Sequence, residues 1–204
     1  MMTMDQLVAP AAIDMLPGFA EPGDAAQRVF RGILDALSRP GQVVGLPAPA
    51  HVPAPLDGAA AAIGLSLLDG ETRVFLPAGC DAAAAWLRFH TGCRLVHSAA
   101  DADFVIVPSQ TSCPDLETLR LGSDEAPHLS ATLIVATSRL EAGAGLRLTG
   151  PGIDGETRLE ISGLEQSFLG RRAALVNLFP RGIDVLFTCG ARIAALPRTT
   201  RLET

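Results

Sequence analysis

The stretch DGAAAAIGLSLLDGETRVFLPAGCDAAAAWLRFHTG, from Asp57 to Gly92, decides the fold. Asp57 is a capping residue followed by an apolar, alanine-rich run to Leu68, which predicts a helix stopped by Asp69-Gly70. Arg73 to Leu76 then reads as a strand, closed by Pro77 and Gly79. Asp81 is the expected cap of the next helix, Ala82 to Thr91, with Gly92 just past its last turn. Two further strands, Leu95–His97 and Phe104–Val107, follow closely. Helices alternating with short apolar strands predict an α/β domain.

Working outward, Asp24 is the expected cap of a helix carrying Val29, Phe30, Ile33, Leu34 and Leu37 on one face. Ser38-Arg39-Pro40-Gly41 ends it, and Gln42–Leu46 is a short strand. Pro47–Pro55 holds four prolines and reads as an extended surface loop. On the other side, Pro114–Leu121 predicts a short helix and Thr132–Ala136 a β-branched strand. Leu146–Thr149 and Arg158–Ile161 alternate around a Gly-rich turn and predict an antiparallel hairpin. Leu164–Leu178 is a long helix, and Asp184–Thr188 and Arg192–Leu196 are strands joined by Cys189-Gly190-Ala191. The expectation is an irregular lead-in over residues 1–23 and one domain over 24–204, a three-layer α/β sandwich on a mixed sheet.

Composition removes whole classes of chemistry. The chain has 204 residues and 21.2 kDa, with sixteen basic against twenty-two acidic residues and a formal charge of −6. That balance speaks against nucleic acid or an anionic membrane as a partner. All sixteen basic residues are arginines. Without a lysine there is no Schiff-base nucleophile, no pyridoxal-phosphate anchor and no P-loop. Tyrosine is absent too. Cys80, Cys93, Cys113 and Cys189 form no C-x-x-C pair and are expected as small buried hydrophobes. His51, His90, His97 and His128 lack a ligand spacing, so no metal is expected. Met1–Phe19 does not read as a signal peptide, and Gly58–Leu68 is too short to span a bilayer. A cytoplasmic protein is expected.

Four segments are candidates for chemistry. Gly150-Pro151-Gly152-Ile153-Asp154-Gly155 fits G-x-G-x-x-G, but the following residues alternate like a strand, whereas a dinucleotide site needs a helix there. A tight turn fits better, and its amides also suit an anion-binding nest. Arg88, His90 and Thr91 close a helix; they either complement its negative end or hold a phosphoryl or phosphonyl oxygen. Arg198, Thr199 and Thr200 are either a solvated strand end or an anion site, and in the second reading Arg88, His90 and Arg198 are expected to bound one anion-recognising cleft. Gly182 and Asp184 bracket a turn in which Asp184 caps backbone or orients a basic group. No complete catalytic constellation is assembled from these pieces.

Seven segments in order carry a resemblance: Phe30–Gly41 (FRGILDALSRPG), Leu67–Thr72 (LLDGET), Arg88–Thr91 (RFHT), Ala131–Leu133 (ATL), Leu146–Ile153 (LRLTGPGI), Phe179–Asp184 (FPRGID) and Pro197–Thr200 (PRTT). Together they resemble the PhnH family, a subunit of the bacterial carbon–phosphorus lyase system. The resemblance implies a fold similar to the large domain of pyridoxal-phosphate-dependent transferases, without the cofactor. It implies a homodimer when isolated, and a core complex with PhnG, PhnI and PhnJ, served by PhnL or PhnK. With PhnG, PhnI and PhnL, the family supports transfer of the ribose triphosphate of ATP onto an alkylphosphonate, releasing adenine. The alternative is a purely structural assembly subunit with no site for ATP or alkylphosphonate. The resemblance carries over no catalytic residue.

Overall fold

A computed structural model describes residues 16–203. A mixed seven-stranded sheet forms its centre. Its strands are β1 (Val44–Gly45), β2 (Arg73–Phe75), β3 (Arg94–Leu95), β4 (Phe104–Val107), β5 (Thr132–Ala136), β8 (Asp184–Cys189) and β9 (Arg192–Leu196). The spatial order is β1-β9-β8-β5-β4-β2-β3. Strands β3, β2, β4, β5 and β8 run parallel, while β9 turns back tightly beside β8 and pairs with β1.

The side-chain period of two divides each buried strand between the faces. Ile106, Ile134, Leu186 and Ile193 point to a core completed by α1 (Pro22–Ser38), α2 (Gly58–Leu67) and α3 (Asp81–Thr91). Val105, Leu133, Val135, Val185 and Phe187 point to the other core. That second face is covered by α4 (Gln166–Val176) and a small antiparallel sheet of β6 (Leu140–Thr149), β7 (Thr157–Ile161) and β10 (Arg201–Glu203), in the order β10-β6-β7. The third layer is therefore part helix and part sheet, a feature that the expected sandwich lacked.

Helix α2 is buried through Ala59–Gly64 and lies between α1 and α3, as an all-apolar helix must. Asp57 caps it as expected, its carboxylate accepting from the Ala60 amide at 2.8 Å. Two other expected caps are displaced. Helix α1 starts at Pro22, with Asp24 inside the first turn and paired to Arg28 at 2.9 Å. Helix α3 is entered from Cys80, with Asp81 already helical. In both, the acid faces the positive helix end from within the first turn and needs no cap bond.

The α1 stripe is narrower than its sequence suggests. Val29, Ile33 and Ala36 are buried, whereas Phe30 and Leu34 remain 48% and 50% exposed. The predicted Pro114–Leu121 helix shrinks to one 3-10 turn at Leu116–Thr118, since only Leu116 and Leu119 reach the core. Cys80 and Cys93 are buried, and Cys113 and Cys189 half-buried. No helix of the described residues is long and apolar enough to cross a membrane. Of the expected lead-in, residues 1–15 lie outside the described range.

Candidate functional site

The sequence candidates fall into two places. At the end of α3, the Trp86 indole N–H and the His90 Nε2–H both donate to the Leu16 carbonyl, at 2.9 and 2.8 Å. The Thr91 hydroxyl donates to the Leu87 carbonyl at 2.8 Å and accepts from the Cys93 amide at 3.1 Å. Gly92 adopts the left-handed C-cap, and Arg88 is exposed. These residues close the helix and anchor the segment that leads into α1.

Arg198 stands elsewhere, beyond β9 at the amino ends of β5 and β8. Its Nη2 donates to Asp184 Oδ2 at 2.6 Å and to Ser130 Oγ at 2.7 Å, while its Nη1 donates to the Pro127 carbonyl at 2.8 Å. The Arg198 amide also donates to Asp184, at 2.8 Å. Gly182 packs against the stem of Arg198, where an added Cβ would meet the Arg198 Cβ at 3.2 Å. The cluster thus joins Gly182, Asp184 and Arg198 into a latch that holds the loop before β5.

One cleft bounded by Arg88, His90 and Arg198 is not formed. Strand β3, which α3 feeds, lies four strands from β8, roughly 19 Å at ordinary strand spacing. The Arg198 guanidinium is also fully committed. The structure does bring Thr199 and Thr200 to Gly150, which cannot carry a Cβ without meeting the Thr199 carbonyl at 3.0 Å. Gly150, Gly152 and Gly155 all have positive φ in a turn followed by β7, so no helix opens there for a dinucleotide. Gly150 and Thr199 also line an open cleft of about 460 Å³ with Pro151, Val176, Phe179 and Arg201.

A second cleft, of about 480 Å³, lies at the carboxyl ends of the parallel strands, where open α/β sheets place ligands. Strand β4 runs into Ser109, Gln110 and Thr111, and β5 into Thr137 and Ser138. Asp57 and Gly190 close the side. The Ser109 and Thr111 hydroxyls lie 2.8 Å apart. The Gln110 side chain donates to the Ser162 carbonyl at 3.3 Å, leaving its own carbonyl oxygen unpartnered among the described residues. This lining offers hydroxyls, an amide and one carboxylate to a hydroxyl-rich ligand, and no arginine to a phosphoryl group.

Burial raises the Asp57 carboxyl above its ordinary range, against the opposing pull of the Ala60 amide. The folded state therefore holds this proton to higher pH than the unfolded chain does. Its stabilising contribution is full below the unfolded value and declines as pH rises through the raised one. Asp57→Asn keeps an N-cap acceptor and removes that slope. Urea melts across the carboxylate range should show the variant gaining stability relative to the parent as pH rises, and a constant difference between the two would contradict the raised value.

The sequence model of the family described as "Bacterial phosphonate metabolism protein (PhnH)" matches residues 17–203. The chain belongs to the PhnH family. It is 37% identical over 187 residues to the alpha-D-ribose 1-methylphosphonate 5-triphosphate synthase subunit PhnH of Rhizobium meliloti (strain 1021), covering 91% of this chain and 94% of that one. It is also 33% identical over 196 residues to a putative C-P lyase subunit protein, HtxG, of Stutzerimonas stutzeri, covering 90% and 93%. Phosphonate metabolism and a multi-subunit carbon–phosphorus lyase system are thus the setting of the family.

Sequence reasoning missed the strand-end residues of this PhnH-family chain. Ser109, Gln110, Thr111, Thr137 and Ser138 form no motif. Their signal is position, because each short polar run directly follows a strand that reads as buried and parallel. Cys113, near Gln110 and Thr111, is no thiolate candidate, since burial pushes its thiol up to about 11.

Proposed function

We propose that this chain works as a PhnH subunit of a cytoplasmic carbon–phosphorus lyase core, assembling with PhnG, PhnI and PhnJ and served by PhnL or PhnK. In that role it supports, with PhnG, PhnI and PhnL, transfer of the ribose triphosphate of ATP to an alkylphosphonate with release of adenine. The product is a ribose 1-alkylphosphonate 5-triphosphate. It acts as one α/β domain over residues 24–204, as a homodimer when isolated, and as part of a catalyst rather than a catalyst alone. The fold is read as a relative of the large domain of pyridoxal-phosphate-dependent transferases that works without the cofactor. The missing lysine supports that last point, because no side-chain amine is present to form an internal aldimine.

The observation that carries the proposal is the near full-length likeness to a subunit named for the ribose 1-methylphosphonate 5-triphosphate synthase. Exposed Phe30 and Leu34, one turn apart on α1, support assembly because paired apolar side chains on a helix surface favour a protein partner. The purely structural alternative draws on the Arg198 latch, where a sequence candidate for ligand contact is spent on holding the fold. Co-expression with the cognate PhnG, PhnI and PhnJ should yield one co-eluting complex containing this chain. Recovery of free chain alone at micromolar concentration would contradict the assembly.

A further inference from the structure

Helix α4 buries a cation that the fold does not neutralise. Arg172 is 1% exposed, and it forms no salt bridge with any described residue. Its Nη2 donates to the Pro197 carbonyl, while Nε and Nη1 have no partner among the described residues. Asp184 attracts it from a distance but is bonded to Arg198. Burial without a counter-ion pulls the Arg172 pKa down to about 10. An arginine in mid-helix reads from sequence as a solvated face, so this one was not among the sequence candidates.

A second unsatisfied group stands on the Pro197–Thr200 turn to which Arg172 is bonded. Thr200 is fully buried, and its hydroxyl has no partner among the described residues. Its amide donates to the Pro197 carbonyl at 2.9 Å, the oxygen that Arg172 also uses, so the Thr200 backbone and the Arg172 guanidinium meet at one acceptor. The next residues out, Thr199 and Arg201, line the cleft of about 460 Å³, as does Val176, one helical turn beyond Arg172. Buried donors of this kind are costly when unpaired, and a charged one most of all.

We propose that Arg172 and Thr200 form the inner wall of an oxyanion site entered from the cleft between the Gly150-Pro151 turn, Phe179, Thr199 and Arg201. A phosphoryl or phosphonyl head supplies the acceptor oxygens that both groups lack, and Arg201 stands at the mouth as a second cation. A small displacement of the Thr199–Thr200 turn admits the anion. That the anion in the cell is an alkylphosphonate or its ribose ester rests on the function proposed above. The site itself does not.

The test is calorimetric titration of the full-length chain with inorganic phosphate and with methylphosphonate, alongside thermal melts in each. The parent should bind both and melt higher in their presence, by mass action. Arg172→Gln and Thr200→Val should each weaken binding about ten- to a hundred-fold, the range for one lost charge-assisted contact. Thr200→Val keeps shape, so it reports even if Arg172→Gln fails to fold. No binding to the parent at millimolar anion, or binding unchanged in Thr200→Val, overturns the site. Binding of phosphate with exclusion of methylphosphonate upholds the site and counts against its use for the phosphonate.

Discussion

Replacing Arg198 with alanine lowers the unfolding free energy by about 3 kcal/mol, near the lower end of the range for breaking a buried pair. The two partners are largely enclosed, at 17% and 25% side-chain exposure, which is why the loss exceeds that of a surface ion pair. The guanidinium also ties the Pro127 carbonyl and Ser130, so its removal frees the loop that leads into β5. In a chain of this size the melting temperature should fall by roughly 6–12 °C. Much of the loss comes from leaving the Asp184 carboxylate partly buried without its cation. Adding Asp184→Asn should therefore recover part of it, a coupling that a double-mutant cycle of urea melts measures directly. Arg198→Lys should recover less than full stability, because one ammonium cannot reach Asp184, Ser130 and Pro127 together. A melt unchanged in Arg198→Ala would show that the latch does not hold the loop.

Gly152→Ala costs about 3 kcal/mol or more by a different route. Gly152 has φ of +82°, and an added Cβ would sit 2.2 Å from the Ser38 carbonyl oxygen and 3.2 Å from Pro40. The turn between β6 and β7 is therefore pressed against the end of α1 through backbone. The left-handed conformation alone costs an alanine roughly 1–2 kcal/mol. The clash adds to that, because a carbonyl in the last turn of a helix cannot move without the turn. Gly155 is the control, with φ of +70° and nothing within 4 Å of its added Cβ. Gly155→Ala should show the dihedral cost only. Equal melts for the two variants would mean that the contact with Ser38 is easily relieved.

Where local pattern and tertiary burial agree, the sequence is a good guide. Phe104–Val107 and Thr132–Ala136 are short β-branched runs buried on both faces, and both strands have the bounds their pattern predicts. The tight turn Cys189-Gly190-Ala191 between β8 and β9 is legible for the same reason. Strand β10 is not, since Arg201–Glu203 is polar, three residues long, and exists only through pairing with distant Arg147–Thr149. The candidate site was less legible than the fold. Arg198 and Asp184 stand out in sequence, but only geometry shows that they satisfy each other. Arg172 carries no local signal at all, because burial of a mid-helix arginine is decided by the Pro197–Thr200 turn that closes over it.

The proposed role makes this chain a working part of an alkylphosphonate ribosyl-triphosphate transfer. The most direct measurement is adenine release from ATP and methylphosphonate by cognate PhnG, PhnI and PhnL, with and without the purified chain. Adenine should be released in its presence and stay at background in its absence. Equal release in both mixtures would contradict it.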